Sequence, residues 1–285
     1  MTIVNPRITR INADSWIGFG RAETVLRRLN ALIEAPRQAR MPGLLVYGSS
    51  GIGKTMIVRK MQAQYPATYD EQNGVIQTPV LLLQAPPAPD ERRFYLHILA
   101  AIGAPVARSH TIAELEVRVL NYLRDLGLRM IIIDEVHNLL SGTYREQRRF
   151  LNMLRFIVND LSVSLVCFGV NDAVDALRGD VQLARSMDEH FLPIWEDDAE
   201  FSRLIQTLIT AMQLKNASNL RISSLRRILN ITGGVTSRIF TMIKALAVEA
   251  IETGDEQITD DDILNWQPTW SRHSWVEHRL QPADF

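Results

Sequence analysis

Gly48-Ser49-Ser50-Gly51-Ile52-Gly53-Lys54-Thr55 is the stretch that decides the fold. It matches the pattern G-x-x-x-x-G-K-[ST] at every fixed position. The apolar run Leu44–Tyr47 stands before it, and a helix predicted over Lys54–Gln64 follows it, as the motif requires. Glycines in such a loop let backbone N–H groups turn inward around phosphate oxygens, and the helix N-terminus adds its positive end. The stretch therefore predicts a site for nucleotide phosphates.

Two side chains of this loop have specific roles toward a nucleotide. Lys54 would reach the β and γ phosphates and assist catalysis, and the Thr55 hydroxyl would bind Mg²⁺. The predicted cofactors are therefore ATP and Mg²⁺. The residues of this segment that we expect to contact the nucleotide are Gly48, Ser49, Ser50, Gly51, Ile52, Gly53, Lys54, Thr55 and Met56.

A second polar motif follows the apolar strand predicted over Met130–Ile133. Asp134 is placed to hold Mg²⁺ through its water shell, and Glu135, one step further, is placed to polarise the attacking water. Two adjacent carboxylates at the end of a buried strand are costly unless a cation or water is bound there. The pair therefore indicates hydrolysis of the nucleotide rather than binding alone.

Five short apolar runs, separated by segments of helical periodicity, indicate a parallel sheet covered by helices on both faces. The predicted strands are Leu44–Tyr47, Val80–Gln84, Met130–Ile133, Ser164–Phe168 and Phe191–Ile194. The predicted helices are Ala22–Glu34, Lys54–Gln64, Arg92–Ala101, Ile112–Leu126 and Arg145–Leu161. Together with the phosphate loop, this pattern predicts an α/β P-loop NTPase of the AAA+ class.

The pattern changes after Trp195, where strand signals stop. The helices expected there are Asp198–Met212, Ser223–Ile231, Val235–Glu252 and Thr259–Trp266. The expected organisation is an N-terminal segment at 1–20, an ATPase core at 21–195, a small helical lid domain at 196–266 and a tail at 267–285. Trp270 and Trp275 of the tail would dock on a partner or on the same subunit. A metal site at His273 and His278 is disfavoured, because no cysteine or regular ligand spacing accompanies them.

Four further polar residues are expected near the same site, each with an alternative role. Asn171 would touch the γ-phosphate or the attacking water, or else cap the next helix. Arg185 would reach the γ-phosphate of a neighbouring subunit as a finger, or else form a surface ion pair, and Arg178 is the rival finger. Arg238 would contact phosphate from the helical domain, or else lie on a solvated helix face.

The composition fits a globular protein with one α/β core and a small second domain, since 46% of the 285 residues are hydrophobic and 22% are charged. No apolar run approaches the roughly 18 residues of a membrane span, and the first residues lack the pattern of a signal peptide. We therefore expect a cytoplasmic protein without a membrane partner. The single cysteine, Cys167, lies in an apolar run and is expected to be a buried, inert thiol.

These motifs together resemble the TniB/TnsC family of AAA+ transposition regulators of bacterial transposons, and TniB most closely. The matching segments besides the phosphate loop are Trp16-Ile17-Gly18, Arg21-Ala22, Arg40-Met41-Pro42-Gly43-Leu44-Leu45, Gln84-Ala85-Pro86, Pro89-Asp90-Glu91, Phe94-Tyr95, Ile133-Asp134-Glu135-Val136-His137-Asn138, Phe150-Leu151-Asn152, Gln182-Leu183-Ala184 and Leu192-Pro193. The resemblance covers roughly residues 10–265 and adds Trp16 and Ile17 to the residues expected to bind the nucleotide. The family often has Asn-Arg-Phe where this chain has Arg185-Ser186-Met187, so the finger arginine is displaced by one residue or replaced.

The resemblance also implies what the ATPase cycle is used for. Family members assemble on double-stranded DNA as ATP-dependent helical filaments or rings, recruit the transposase and disassemble on hydrolysis. A TniQ-type adaptor is a further expected partner. From the residues alone, two other functions stay open: a helicase loader or replication initiator, and a signalling or secretion ATPase whose partner is only protein.

Two basic clusters are alternative candidates for contacting DNA through its phosphates, without sequence preference. Arg92 and Arg93 begin the helix after the second strand, and Arg145, Arg148 and Arg149 lie on the helix after the Asp-Glu strand. For each cluster the alternative is a solvated helix face.

Overall fold

The structure is a computed structural model that describes residues 5–13, 16–71, 74–106 and 109–268. Its described residues divide into two units. The sheet unit consists of Ala22–Gly48 and Lys54–Leu192, and the helical unit takes its residues from Met1–Arg21, Ser49–Gly53 and Pro193–Phe285. The predictions for Trp270, His273, Trp275 and His278 lie outside the described residues.

Within the described chain the strands are β1 (Gly43–Tyr47), β2 (Thr68–Asp70), β3 (Val75–Gln77), β4 (Val80–Gln84), β5 (Met130–Asp134), β6 (Ser164–Gly169) and β7 (Met187–Phe191). Five of these form a parallel sheet in the order β4-β5-β6-β1-β7, and β2 pairs with β3 as a short antiparallel hairpin. The residues of β5 and β6 are buried throughout, which is why both strands appear in the sequence as continuous apolar runs.

The prediction of a five-stranded parallel sheet is confirmed, but the predicted position of its fifth strand is wrong. The sequence predicted Phe191–Ile194, whereas β7 occupies Met187–Phe191 and pairs with β1 along its whole length. β7 is an edge strand without a buried residue, so no apolar run marks it. The apolar run after it contains Leu192, which is buried but lies beyond the end of the strand.

The helices that precede β7 are α1 (Pro6–Asn12), α2 (Gly20–Glu34), α3 (Lys54–Gln64), α4 (Glu91–Ala101), α5 (Ile112–Asp125), α6 (Tyr144–Leu161), α7 (Ala173–Arg178) and α8 (Val181–Ala184), with a 3-10 helix at Val136–Ser141. The bounds of α2 to α6 agree with the predicted helices to within two residues. The short elements α1, α7, α8 and the β2–β3 hairpin were not predicted, because so few residues show no clear periodicity.

Helix α6 shows how the sequence sets such an element. Thr143 Oγ1 accepts a hydrogen bond from the N–H of Glu146, and the Glu146 carboxylate accepts one from the N–H of Thr143, so a capping box starts the helix. Leu151, Leu154 and Val158 form an apolar stripe on one side of α6 and are buried. The arginines in the first half of α6 are left exposed on its other side.

The apolar core of the sheet unit contains the predicted inert thiol. Cys167 of β6 is fully buried and unpaired, and burial raises the pKa of its thiol to about 12. A thiol that stays protonated is a poor nucleophile. The prediction of an inert cysteine is therefore confirmed by its surroundings.

The helical unit joins α1 to α9 (Ala199–Met212), α10 (Ile222–Thr232), α11 (Thr236–Thr253) and α12 (Asp260–Asn265) around one apolar core. Ile11 of α1 is buried in that core. Arg7 of α1 donates hydrogen bonds of 2.6 and 2.8 Å to the Glu256 carboxylate, which lies 249 residues further along the chain. The predicted C-terminal helices are confirmed. No helix among the described residues is long and apolar enough to cross a membrane.

Candidate functional site

The order of the parallel strands brings the predicted polar motifs of the sheet unit to one edge of the sheet. β6 lies between β5 and β1 and pairs with both. β1 leads into Gly48, β5 ends at Asp134, and the chain after β6 leads to Asn171. Because the carboxyl ends of parallel strands meet at the same edge, ligands of such sheets bind there.

Lys54 and Thr55, the first residues of α3, lie beside the acidic pair. Lys54 is only 6% exposed, and its Nζ donates a hydrogen bond of 2.7 Å to Gly48 O. Thr55 Oγ1 donates a hydrogen bond of 3.1 Å to Asp134 Oδ2, so the two predicted Mg²⁺ ligands are in contact. Burial lowers the pKa of the Lys54 ammonium, while the nearby Glu135 and Asp134 carboxylates act to raise it. A buried ammonium next to carboxylates and a hydroxyl fits a phosphate that is bound together with Mg²⁺.

The backbone makes a sharp turn at the acidic pair. Asp134 Oδ1 accepts a hydrogen bond of 2.9 Å from the N–H of Glu135, and Asp134 O accepts one of 2.8 Å from the N–H of Ala85. Glu135 has left-handed dihedral angles, φ 59° and ψ 37°, which are uncommon for a residue with a side chain. Backbone strain of this kind is concentrated at functional sites. The turn ends β5 and starts the 3-10 helix.

His137 contacts the predicted base. Its Nε2 lies 3.2 Å from Glu135 Oε2, and its Nδ1 accepts a hydrogen bond of 3.5 Å from the N–H of Val170. Sequence patterns did not reveal these contacts, because they depend on the turn at Glu135 and on the pairing of β5 with β6. The one available signal is the short spacing between His137 and the predicted base.

Asn171 lies exposed in the segment between β6 and α7. The N-cap position of α7 is Asp172, which makes no side-chain cap hydrogen bond, so the structure does not support the alternative role of Asn171 as a helix cap. Gly48 N donates a hydrogen bond of 3.3 Å to Gly169 O, which fixes the start of the Asn171 segment beside the start of the phosphate loop. A role of Asn171 toward the γ-phosphate stays a prediction.

The two candidate finger arginines differ in their contacts. Arg178, at the end of α7, forms an ion pair of 2.9 Å with Asp175, and both side chains are largely exposed. Arg185 follows α8 directly before β7 and is also exposed. Its side chain makes no hydrogen bond or ion pair with any described residue. Arg185 is therefore more available than Arg178 to a ligand outside its own chain.

The middle of the phosphate loop, Ser49–Gly53, groups with the helical unit. The N–H of Ser237, in the first turn of α11, donates a hydrogen bond of 2.8 Å to Gly51 O. Gly51 and Gly53 have φ values of 75° and 103°, in the region that favours glycine. A Cβ on Gly51 would lie 2.5 Å from Ser237 Oγ, so both conformation and space require glycine there.

The other residues predicted to bind the nucleotide are also in the helical unit. Arg238 follows Ser237 in the first turn of α11 and is half-buried. Trp16 and Ile17 are half-buried as well, and Ile17 packs against the apolar core of this unit. Their contacts with a nucleotide stay predictions.

Comparison with known proteins identifies the family of the chain. The family model described as "Bacterial TniB protein" matches residues 7–197, which is more than half of the sequence. The chain belongs to the TniB family. The family resemblance predicted from the motifs is therefore confirmed. No curated protein has a sequence significantly similar to this TniB-family chain.

Solved structures with a similar fold include ORC and Cdc6 proteins. ORC2 from Aeropyrum pernix, solved as ADPNP-ADP complexes, has a TM-score of 0.63 and 16% identity, covering 95% of this chain and 74% of that one. Cdc6p from Pyrobaculum aerophilum gives 0.59 and 18%, with coverage of 87% and 67%. ORC1 from Aeropyrum pernix in complex with DNA gives 0.58 and 18%, with coverage of 91% and 68%. This likeness confirms the predicted AAA+ fold.

The TniB-family chain is an ATPase of this fold. The chain matches the TniB family model, and it also has a complete phosphate loop, a Thr55–Asp134 contact and a carboxylate at Glu135. Nucleotide binding and hydrolysis follow from that combination.

Proposed function

We propose that this ATPase binds ATP with Mg²⁺, assembles on duplex DNA and recruits a transposase, and that hydrolysis disassembles it. The observation that carries the proposal is that the starts of α4 and α6, the two helices with the candidate arginine clusters, lie side by side in the sheet unit, where we propose one basic surface. We define this basic surface by Arg92, Arg93, Arg145, Arg148 and Arg149.

In the proposed nucleotide site each residue of the sheet unit has one task. Lys54 binds the β and γ phosphates, Thr55 and Asp134 hold the metal, and Glu135 accepts a proton from the attacking water. Bound Mg²⁺ supplies positive charge that offsets the phosphate charge. The proposal is supported by the ADPNP and ADP that accompany the similar ORC2 fold.

The segments that precede α4 and α6 pack against each other. Ser141 Oγ donates a hydrogen bond to Pro87 O, and a Cβ on Gly142 would lie 2.6 Å from Pro89 Cδ. Burial raises the pKa of the Glu91 carboxyl, and the nearby Arg149 guanidinium opposes that shift. Glu91 belongs to α4 and Arg149 to α6, so the starts of both helices lie side by side.

The basic surface has the chemistry that a nucleic-acid backbone requires. Its exposed members are Arg93, Arg145, Arg148 and Arg149. Arg92 is half-buried and donates a hydrogen bond of 2.6 Å to His110 O, so it also fixes the local backbone. Guanidinium groups bind phosphates with two parallel hydrogen bonds, and phosphate contacts carry no sequence information. The DNA bound to the similar ORC1 fold supports this assignment.

The proposed assembly is a homo-oligomer in which Arg185 of one subunit reaches the γ-phosphate held by the next. An arginine supplied by a neighbour stabilises the charge of the transition state. Arg185 suits this task because it is exposed and unpaired within the described part of its own chain. A transposase and a TniQ-type adaptor are the protein partners that family membership supports.

A second candidate function is a helicase loader or replication initiator, which the likeness to ORC and Cdc6 structures favours. The family match favours transposition instead. Binding of a purified transposase encoded beside this chain, in the presence of ATP and DNA, would support the first function. Binding of a purified replicative helicase in its place would support the second.

The nucleotide part is tested with Lys54→Ala. The phosphates lose their buried ammonium, so binding of a fluorescent ATP analogue should fall below detection. Lys60→Ala, on the same helix, is the matched control and should bind as the wild type does. Wild-type affinity of Lys54→Ala would show that the site is assigned wrongly.

The DNA part is tested with the double variant Arg93→Glu/Arg149→Glu, which takes one arginine from each helix. ATP-dependent binding to duplex DNA, followed by fluorescence anisotropy, should weaken at least about tenfold. The slope of log K against log salt should fall by about 0.9 for each phosphate that the variant no longer neutralises. The control Arg27→Glu/Arg203→Glu makes the same charge change at exposed arginines of α2 and α9. Equal weakening in both double variants, or full affinity in both, would contradict the basic surface.

A further inference from the structure

The contacts of His137 link the predicted base to the segment that carries Asn171. We infer that His137 is a positioning residue for ATP hydrolysis, which holds the Glu135 carboxylate in place and ties it to that segment. This inference rests on the proposed role of Glu135 as the base. Neither the phosphate loop nor the acidic pair assigns any task to His137.

The hydrogen bond of His137 with Val170 defines its tautomer. Val170 N–H donates to Nδ1, so Nδ1 carries the lone pair and the proton of the neutral ring is on Nε2. That proton faces Glu135 Oε2 across 3.2 Å. The imidazole therefore donates to one carboxylate oxygen, which leaves Oε1 to accept a proton from water.

The His137 ring contacts the backbone directly after strand β6. Val170 lies between Gly169, the last residue of β6, and Asn171. A Cβ on Gly169 would lie 2.6 Å from Ala173 Cβ, so the packing of α7 requires glycine there, and it would lie 3.4 Å from His137 Nδ1, an ordinary contact distance. His137 thus contacts the backbone of the segment after β6, one residue before Asn171.

Glu135 needs such a partner. Its side chain is 36% exposed, and a free glutamate samples many rotamers, so fixing it in one of them costs conformational entropy. The nearby Lys54 ammonium also attracts it. A carboxylate drawn onto Lys54 would form an ion pair and would not face the water. The close contact of His137 Nε2 with Glu135 Oε2 opposes both effects.

The contacts of His137 also connect Asn171 with Glu135. If Asn171 moves when it meets a γ-phosphate, Val170 moves with it, and the His137 ring follows the Val170 N–H that donates to it. Glu135 would then be oriented best when the triphosphate is bound. The chain of contacts is Asn171 to Val170 by covalent connection, Val170 to His137, and His137 to Glu135.

The kinetic test compares two substitutions at the same position. His137→Phe keeps a ring but removes both nitrogens, and kcat should fall roughly 10- to 100-fold, as expected for a misplaced catalytic group. KM and the affinity for a fluorescent ATP analogue should stay unchanged. His137→Gln restores a donor and should recover part of kcat. His190→Gln, a histidine of β7, is the matched control and should keep full activity.

The second test needs no nucleotide. Long-range ¹H–¹⁵N NMR of the wild-type chain, recorded at alkaline pH so that the ring is neutral, distinguishes the two tautomers. Protonated Nε2 and unprotonated Nδ1 at His137 are expected, with a Val170 amide resonance that shifts in His137→Phe. Protonated Nδ1 would overturn the inference even if the variants failed to fold.

The outcomes distinguish a failure of the positioning role of His137 from a failure of the proposed role of Glu135 as the base. Equal kcat for His137→Phe and the wild type, or a rise in KM alone, would remove the positioning role and leave Glu135 as the base. In a Glu135→Gln background, His137→Phe should cause no further loss, and an additional loss would assign His137 a separate task and overturn the positioning role. Normal turnover of Glu135→Gln would instead refute the base itself.

Discussion

β5 and β7 belong to the same parallel sheet but meet opposite surroundings. All five residues of β5 are buried, and the strand ends in the acidic pair, whereas β7 is an edge strand whose residues are exposed or half-buried. The sequence predicted β5 to within one residue and placed β7 three to four residues too late. The difference shows that an apolar run reports burial on both faces of a strand rather than the strand itself.

The residues that flank these two strands differ in the same way. Glu135, after β5, contacts His137 and is bound through its N–H to Asp134. Arg185, before β7, has no side-chain partner among the described residues. We therefore expect the end of β5 to serve the site of its own chain and the start of β7 to serve the site of a neighbour.

The largest expected effect concerns the start of β7. Arg185→Ala should lower ATP turnover by about 10³-fold or more, because the neighbour's γ-phosphate loses its guanidinium. Mixing Arg185→Ala with Lys54→Ala subunits should restore some activity, since one junction then has an intact site. Arg178→Ala is the control and should keep most turnover. Wild-type specific activity that stays constant across a wide dilution range would contradict a shared site.

The end of β5 should show a smaller loss of turnover. Glu135→Gln should lower it by about 10²–10³-fold, because an amide cannot accept the proton of the attacking water. Binding of ATP should be retained, and ATP-bound assemblies on duplex DNA should accumulate. Phosphate release measures the first effect and sedimentation with DNA the second. Near-normal phosphate release would exclude Glu135 as the base.

A substitution in the buried strand β5 should lower the free energy of unfolding more than one in the exposed strand β7. Ile132→Ala in β5 removes a fully buried side chain and should lower the free energy of unfolding by about 2–5 kcal/mol. Glu189→Ala in β7, at an exposed position, should change it by less than about 0.5 kcal/mol. Urea unfolding followed by circular dichroism gives both values. Similar losses would mean that the two strands contribute equally to the core.

A small effect is also expected for an ion pair at the exposed edge of β7. Arg28 of α2 forms an ion pair of 2.9 Å with Asp188 and lies 3.2 Å from His190 Nδ1. Because Asp188 is largely exposed, Arg28→Ala should cost at most about 1 kcal/mol. The difference should shrink in high salt, where exposed charges are screened. A loss that does not respond to salt would indicate packing by the Arg28 stem instead.

Much of the fold could be predicted because its main elements are long or buried. The bounds of α3 and β4 were predicted without error, since each shows a clear period or a continuous apolar run. The phosphate loop and the acidic pair are contiguous motifs, so the sequence names their residues directly. The contact between Thr55 and Asp134 needs the strand order as well, because β6 separates the two strands that lead to them.

Other parts of the site depend on geometry that no local pattern contains. The left-handed backbone of Glu135 places an ordinary residue in an uncommon conformation, and sequence propensity gives no sign of it. That the helices with the two arginine clusters start side by side depends on the packing of Pro89 against Gly142, which lie 53 residues apart in the chain. Sequence reasoning therefore left the two clusters as alternatives, and this packing supports a joint role for them.

The ion pair between Arg7 and Glu256 has a consequence for the order in which parts of the chain fold during synthesis. Helix α1 leaves the ribosome before its ion-pair partner, which is synthesised 249 residues later. At about 5–20 residues per second, α1 waits roughly 12–50 s for the loop that receives it. The sheet unit, whose segment Lys54–Leu192 is continuous, can complete its strands during that interval. The helical unit is thus closed last, when the end of the described chain meets its beginning.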